Sequence, residues 1–256
     1  MSNFVSPLLP QGKVEYIAIG ERYFHLIKGY LRNNNVKSIN IPDNPLIDKR
    51  VCGHVDMSIL NYEKGKLFCA EYIERIRKKD ILKDYGFEVN YVREAMAENY
   101  PHDALLNVCI TEKFAIYNPK TAGKEVVKYL TSKMHNNFQH IHCNQGYAKC
   151  SVCVVDDYSI ITSDKGILKK SREKGIDALL IEDNCIRLSG FSHGFIGGAA
   201  FKLCPSILTL TGRFPDSYKQ NETAIRNFLN KRNMELNYAS NDIIIDIGGI
   251  IPLLEF

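Results

Sequence analysis

The sequence repeats one order of secondary structure five times, and this repetition limits the folds that the chain can adopt. Each repeat is predicted to contain an amphipathic helix followed by short strands, because apolar residues recur first at helical spacing and then in alternation. Phe24, Ile27 and Leu31, for example, share one face of the first helix. The predicted helices are 21–35, 73–86, 123–136, 164–175 and 221–233.

A short strand follows each predicted helix, and a two-stranded hairpin follows that strand in the first four repeats. The predicted short strands are 37–42, 87–92, 140–143, 177–182 and 234–239. The predicted hairpins are 54–71, 105–118, 149–164 and 194–212. The fifth repeat has the apolar segment 243–256 alone, without a returning strand.

The strand that the fifth repeat lacks is predicted at the other end of the chain. Residues 14–20 form a strand pattern with no hairpin partner of their own. If this strand pairs with the last one, near 250–255, the fifth unit is complete and no apolar edge is left exposed. We therefore expect one α/β domain over 1–256, a closed five-unit propeller with pseudo-fivefold symmetry. The alternative is an ordinary α/β sandwich whose elements alternate by chance.

Composition narrows the function classes. The formal net charge is only +4 and no dense basic run occurs, so a nucleic-acid partner is not expected. The longest apolar stretch, 243–256, is too short to span a bilayer and contains Asp246, so no membrane partner is expected either. No secretory signal is visible, and eight cysteines are spread through apolar segments, which predicts reduced thiols and a cytoplasmic protein. The oligomeric state is left open.

Three short motifs resemble a known enzyme superfamily: GHVD at 53–56, CSV at 150–152 and GGIIPL at 248–253. Together with the five repeats, they look like the pentein fold of the guanidino-group-modifying enzymes, which include arginine deiminases, dimethylarginine dimethylaminohydrolases and amidinotransferases. Within it, the chain resembles a bacterial branch with no assigned reaction. The resemblance implies a small cationic substrate, a cysteine that attacks the guanidinium carbon, a histidine that transfers protons, and carboxylates that bind the cationic nitrogens. No cofactor is expected.

The nucleophile departs from the superfamily pattern. The resemblance places the cysteine in the last unit, where its distance from Pro252 corresponds to Gly248. The repeat predicts another location, because His54 and Cys150 are two units apart, as the histidine and cysteine of the superfamily are. We therefore predict Cys150 as the nucleophile and His54 as the acid–base, with the site rotated to different units. The positions predicted to be equivalent are His54, Leu105, Cys150, a residue near Ile196, and Gly248.

Asp56 is predicted to act beside His54. Segment 52–59 has the alternation of a buried strand, which puts His54 and Asp56 on one face. Lys149 would help to hold Cys150 as a thiolate, whereas nearby carboxylates would oppose that ionisation until a cation binds. The alternative is that His54 caps the end of a buried strand and that Cys150 fills the core.

Four further residues are predicted to bind substrate. His193 precedes a glycine pair, and Asn144 lies in the loop before Cys150. Asp242 and Asp246 share one face of the predicted fifth hairpin, and an unpaired buried carboxylate at Asp246 would be costly. A turn carboxylate explains Asp242 equally well, and loop solvation explains Asn144.

A zinc site is not predicted. The region 140–153 contains enough histidine and cysteine for one, but Cys150 and Cys153 would point to opposite faces of a strand.

Two function classes remain. The first is a cysteine-dependent hydrolase or transferase acting on a small guanidino or amidino compound. The second is a non-catalytic binding module, like the ribosome-associated initiation factor that shares this fold, and the missing cysteine at Gly248 favours it.

Overall fold

The computed structural model describes residues 2–76, 78–133 and 137–256, without the side chains of 78–80. In chain order, the strands of this part are β1 (Asn3–Phe4), β2 (Val14–Gly20), β3 (Lys37–Ile41), β4 (Ile59–Glu63), β5 (Lys66–Ala70), β6 (Glu88–Val92), β7 (Cys109–Ile110), β8 (Phe114–Tyr117), β9 (Gln139–His142), β10 (Val152–Asp156), β11 (Ser159–Thr162), β12 (Asp177–Leu180), β13 (Ala200–Cys204), β14 (Ile207–Leu210), β15 (Glu235–Tyr238) and β16 (Ile251–Glu255). The helices are α1 (Glu21–Asn33), α2 (Tyr72–Arg75), α3 (Lys78–Asp84), α4 (Lys124–Ser132), α5 (Ala148–Ser151), α6 (Lys165–Glu173) and α7 (Lys219–Asn230), with 3-10 turns at Val55–Met57 and Asp216–Tyr218.

The strands of the described residues form five small mixed sheets on one plan. An antiparallel pair is followed by a helical crossover to a third strand, which pairs in parallel with the second. A helix is needed there because parallel neighbours cannot be joined by a tight turn. The strand orders are β1-β16-β2-β3, β4-β5-β6, β7-β8-β9, β10-β11-β12 and β13-β14-β15. The predicted α/β class is confirmed.

The short strand after each helix belongs to the sheet of the preceding hairpin. For example, β6 pairs in parallel with β5, and β3 pairs in parallel with β2. The repeating unit is therefore hairpin, helix and strand, rather than helix, strand and hairpin. The order of elements along the chain does not distinguish these two repeating units, because the same repeating series can be divided at either point.

The two ends of the chain pair as predicted. Strand β2 runs antiparallel to β16, with Ala18 opposite Ile251 and Val14 opposite Glu255. Because β2 lies between β16 and β3, it is covered along both edges, and its Ile17 and Ile19 are fully buried. The short strand β1 extends the same sheet beyond β16.

Three segments predicted as strand ends have other conformations. Residues 55–57 form a 3-10 turn, so strand β4 begins only at Ile59. Residues 148–151 form the short helix α5, and 243–250 contain only isolated bridges. All residues from His54 to Ser58 are buried. Without a solvent-exposed face, the alternation of residue types in this segment does not report a strand.

Two of the predicted helices differ from the observed ones. The helix predicted at 73–86 is divided into α2 and α3 around Ile76, and residue 77 lies outside the described residues. Residues 134–136 of the helix predicted at 123–136 also lie outside them, and α4 ends at Ser132. Among the described helices, none is both long enough and apolar enough to cross a membrane.

The end-to-end pairing predicts a strong dependence of stability on β2. Deleting residues 1–20 should abolish cooperative unfolding, because β16 and β3 would each lose their partner. Ile17→Ala should lower the free energy of unfolding by about 2–5 kcal/mol, since it leaves a cavity in the core. Circular dichroism during urea and thermal denaturation measures both effects. Lys13→Ala, at an exposed side chain just before β2, is the control and should change stability by less than about 0.5 kcal/mol. A truncated protein that melts like the full chain would contradict this account.

Candidate active site

Three segments that precede the first strand of a sheet bring polar side chains to one place. The 3-10 turn before β4 carries Asp56 and follows His54, α5 before β10 carries Cys150, and the segment before β16 carries Asp246. His54, Asp56 and Cys150 each offer a polar side-chain atom within 4.8 Å of the others. The predicted meeting of residues from units two apart is therefore observed.

Cys150 is buried and hydrogen-bonded on two sides. Its thiol donates to Oδ2 of Asp56 at 3.1 Å, and Nδ2 of Asn107 donates to its sulfur at 3.1 Å. Oδ1 of Asn107 accepts from the backbone N–H of Cys150, also at 3.1 Å. The two Asn107 contacts fix both the backbone and the sulfur of Cys150. The side chain is only 3% exposed.

Asp56 faces Lys149 as well as Cys150. The Lys149 ammonium lies 3.8 Å from Oδ2 of Asp56 and donates to the carbonyl of Gly197 at 2.9 Å. Oδ1 of Asp56 has no hydrogen-bond partner, although the side chain is only 2% exposed. The Lys149 ammonium therefore offsets negative charge at Oδ2 of Asp56, whereas Oδ1 has no partner. A buried acceptor without a donor is costly and marks a place where a ligand group could bind.

His54 packs against the final turn of the chain before β16. Its Nδ1 lies 3.8 Å from Oδ1 of Asp246, and its Nε2 is buried without a partner. Asp246 is held in turn by the backbone N–H groups of Phe195 and Gly248, each at 2.9 Å. Gly248 has a φ of 69°, and a Cβ on it would lie 2.4 Å from Cβ of His54. His54 thus occupies the space that a side chain at 248 would need.

Burial and charge hold Cys150 as a neutral thiol. Burial raises the pKa of Cys150 well above its usual value, the charges of Asp56 and Asp246 raise it further, and Lys149 lowers it only in part. Burial also raises the pKa of Asp56, against the opposing effects of Lys149 and His54. The thiol therefore does not ionise readily on the protein's own charges. The carboxylates of Asp56 and Asp246 therefore oppose ionisation of the thiol, as predicted, and their balancing by a bound cation stays a prediction.

A cavity of about 410 Å³ opens onto this cluster. His54, Cys150, Asp246 and His193 are among the residues that line it, whereas Asp56 lies behind them and is not a lining residue. His193 is partly exposed and lies 3.8 Å from Asp183. The volume is in the range of small-molecule sites. The other lining residues are Asp48, Arg50, Val51, Met57, Glu98, Asn99, Tyr100, Asp103, Tyr147, Leu188, Phe191, Ser192 and Phe195.

Two of the predicted substrate-binding residues lie outside this cavity. Asp242 is exposed, and its carboxylate accepts from the hydroxyl of Ser240, which is the turn role that the sequence also allowed. Asn144 is exposed, and its backbone carbonyl accepts from Asn118. The two residues were placed near the site by their position in the sequence. Asp242 does not share a strand face with Asp246, because 243–250 is not a regular strand.

Two residues of the cavity region were not identified from the sequence. Asn107 precedes β7 as Cys150 precedes β10, so it is the equivalent residue of its unit, but the repeat alignment placed Leu105 there. Asp103 is buried in the cavity wall and accepts from the hydroxyl of Tyr147 at 2.7 Å. The signal for Asn107 was present, and a two-residue error in register concealed it. No sequence pattern indicated Asp103.

One group of side chains in the described residues has the composition of a metal site, namely His54, Asp56 and Cys150. Cys153, which the zinc alternative would require, is not part of this group and lies on β10, whereas Cys150 lies on α5.

One protein family matches most of the sequence. Residues 18–251 match a family described as a family of unknown function, DUF6873. The chain belongs to this family. No curated protein matches the sequence significantly.

Solved structures with the same fold include several guanidino-modifying enzymes. C. jejuni agmatine deiminase matches with a TM-score of 0.57 and 10% identity, over 96% of this chain and 94% of that one. An inosamine-phosphate amidinotransferase from Streptomyces griseus matches with a TM-score of 0.59 and 12% identity, over 97% and 96%. DDAH from Pseudomonas aeruginosa matches with a TM-score of 0.54 and 9% identity, over 93% and 96%. The predicted resemblance to the pentein superfamily is confirmed at the level of the fold.

The Asp56–Cys150 contact predicts how the thiol responds to loss of a charge. Asp56→Asn should lower the pKa of Cys150, because it removes a negative charge 3.1 Å from the sulfur. Carboxamidomethylation of Cys150 at pH 8 should then be about tenfold faster, which corresponds to one pKa unit. Mass spectrometry of the Cys150 peptide separates this reaction from that of the other cysteines. Glu98→Gln, at an exposed cavity residue, is the control and should leave the rate unchanged. An equal or slower rate in Asp56→Asn would refute the electrostatic account.

Gly248 provides a second prediction. Gly248→Ala should destabilise the protein by about 2–4 kcal/mol, because it combines a left-handed backbone with a clash against His54. Gly175→Ala is a matched control: its φ is 76°, but a Cβ there meets nothing within 4 Å. The control should cost about 1 kcal/mol, from the backbone alone. Chemical denaturation of both variants measures the difference. Equal losses would show that His54 does not occupy this space.

Proposed function

We propose that this protein is a cysteine-dependent enzyme that acts on a small guanidino or amidino compound, by hydrolysis or by group transfer. Cys150 is the nucleophile, His54 carries protons, and Asp56 and Asp246 bind the substrate cation. The observation that carries this proposal is the Cys150 thiol, which lines the cavity beside His54 and donates to the carboxylate of Asp56.

The charges of the site favour a cationic substrate. Asp56 and Asp246 are nearly fully buried, and Lys149 is the cation closest to Asp56 among the described residues. A guanidinium or amidinium ion beside these carboxylates would reduce their unfavourable desolvation. It would also offset the charges that raise the pKa of Cys150, so substrate binding would favour the thiolate. Cys150 thus becomes a reactive thiolate when the cationic substrate is bound.

The reaction follows from these positions. The thiol proton passes to His54 as the Cys150 sulfur bonds to the central carbon of the substrate. His54 protonates the leaving amine as its C–N bond breaks, and a covalent amidino-cysteine intermediate remains. Attack by water on this intermediate gives hydrolysis, and attack by an acceptor amine gives transfer; either releases the cysteine. His193, in the cavity wall, contacts the distal part of the substrate.

The comparisons support the choice of chemistry. Structures with this fold are named agmatine deiminase, inosamine-phosphate amidinotransferase and DDAH.

We further infer that the five sheets close into a five-unit propeller as one domain over 1–256, which the pairing of β2 with β16 supports. All eight cysteines are unpaired, which supports a reducing compartment such as the cytoplasm.

A binding module is the second candidate. Gly248 takes the position that the superfamily pattern gives to its cysteine, and the raised pKa of Cys150 keeps the thiol unreactive without a cation. A protein of this kind would hold a cationic ligand in the same cavity without turnover.

Kinetic comparison of site variants tests the enzyme proposal. The wild type should turn over at least one compound from a panel of agmatine-like, arginine-like and amidine substrates. Cys150→Ser and His54→Ala should each lower kcat by at least about 100-fold, because they remove the nucleophile and the proton carrier. Cys204→Ser, at a partly exposed cysteine outside the cavity, is the control and should retain full activity. Turnover that survives Cys150→Ser would refute the assignment, and binding without any turnover would favour the binding module.

A further inference from the structure

The cavity lining contains a buried carboxylate that the proposed chemistry does not use. Asp103 lines the cavity wall, and its side chain is only 3% exposed. The hydroxyl of Tyr147 donates to its Oδ2 at 2.7 Å, whereas Oδ1 is buried and has no hydrogen-bond partner. Burial raises the pKa of Asp103 despite the hydrogen bond from Tyr147. A carboxylate in this condition is stabilised by any cation that reaches its free oxygen.

Aromatic rings accompany this carboxylate. The rings of Tyr147 and Tyr100 are 5.6 Å apart, those of Tyr147 and Phe195 are 6.4 Å apart, and all three residues line the cavity. Aromatic faces attract organic cations and exclude water from the charge opposite them. A carboxylate among such rings has the composition of an ammonium-binding site.

Among the described residues that line the cavity, carboxylates outnumber permanently charged cations. Its lining contains four carboxylates, those of Asp48, Glu98, Asp103 and Asp246, against the single guanidinium of Arg50. Arg50 is already engaged: its Nε donates to Asp48 at 3.0 Å and its Nη1 to the carbonyl of Gly190 at 3.0 Å, and its guanidinium lies 4.1 Å from the centre of the Phe191 ring. Hydrogen bonds from Arg50 also lower the pKa of Asp48 to about 2, so this pair remains ionised.

We propose that Asp103 forms a second cation subsite, which selects guanidino or amidino substrates carrying a distal amine and no carboxylate. This inference rests on the proposed function, because the first cation is the group presented to Cys150. The distal ammonium donates to Oδ1 of Asp103 and lies against Tyr147. An amino-acid substrate would bring its carboxylate into a negatively charged cavity in which Arg50 is occupied, and it would bind more weakly for that reason.

Isothermal titration of matched ligands tests the subsite in the Cys150→Ser protein, where turnover does not interfere. Agmatine should bind at least about tenfold more tightly than n-butylguanidine, which lacks only the amine, and at least tenfold more tightly than arginine. Asp103→Asn, added to Cys150→Ser, should reduce the agmatine preference to less than about threefold. Asp216→Asn, the same change at an exposed aspartate outside the cavity lining, is the control and should keep the preference. An unchanged ratio in Asp103→Asn, or arginine binding as tightly as agmatine, would overturn the proposal.

Two further outcomes separate this inference from the proposed function. If no guanidino compound binds, the proposed function is wrong, and 1,4-diaminobutane and n-butylamine then decide about the subsite. Amine binding that Asp103→Asn abolishes supports the subsite, and amine binding that is absent or indifferent to Asp103 overturns it. Thermal melting shows whether Asp103→Asn is folded. If it is not, the ligand series in Cys150→Ser decides, and equal affinities for agmatine and n-butylguanidine reject the subsite.

Discussion

The antiparallel pairing of β2 with β16 is the constraint on which the site depends. It joins residues from opposite ends of the chain, and it fixes the segment just before β16 against the one before β4. That contact is close: the backbone at Gly248 lies so near His54 that a Cβ would not fit between them. Asp246 is positioned beside His54 by the same segment. Without the pairing of the ends, the histidine would lose its contact with Gly248 and its nearest carboxylate.

The buried polar groups of the candidate site are kept at a cost in stability. Asp56 and Asp246 are almost completely buried, and removing a carboxylate from water costs several kcal/mol unless partners replace the lost hydration. Asp246 has two backbone N–H donors, whereas one oxygen of Asp56 has none. The two carboxylates are therefore not equivalent. Asp246 is held in a fixed position beside His54, and Asp56 keeps one oxygen without a hydrogen-bond partner.

The sequence predicted much of the fold because the repeat is local. Helices such as 21–35 and short strands such as 37–42 show their own periodicity, and the unpaired strand at 14–20 identified its distant partner by elimination. The errors lie where every residue is buried. The segment around Asp56 was predicted as a strand from alternation, but burial on all sides allowed a 3-10 turn. Helix α5, which carries Cys150, also lies in a segment predicted as a strand, and all of its residues are buried as well.

The candidate site, like the fold, could be predicted from the sequence only in part. Repeat spacing was enough to bring His54 and Cys150 together, because equivalent positions in a repeating fold converge on the same region. It did not identify Asn107, whose role depends on the exact register of its unit, or Asp103, which reaches the cavity through a loop with no repeated pattern. It also placed Asp242 and Asn144 at the site, although both are exposed. Periodicity in the sequence thus determined which units meet. Only the tertiary structure decided which side chains face the cavity, because that depends on loop paths and close backbone contacts that no local pattern encodes.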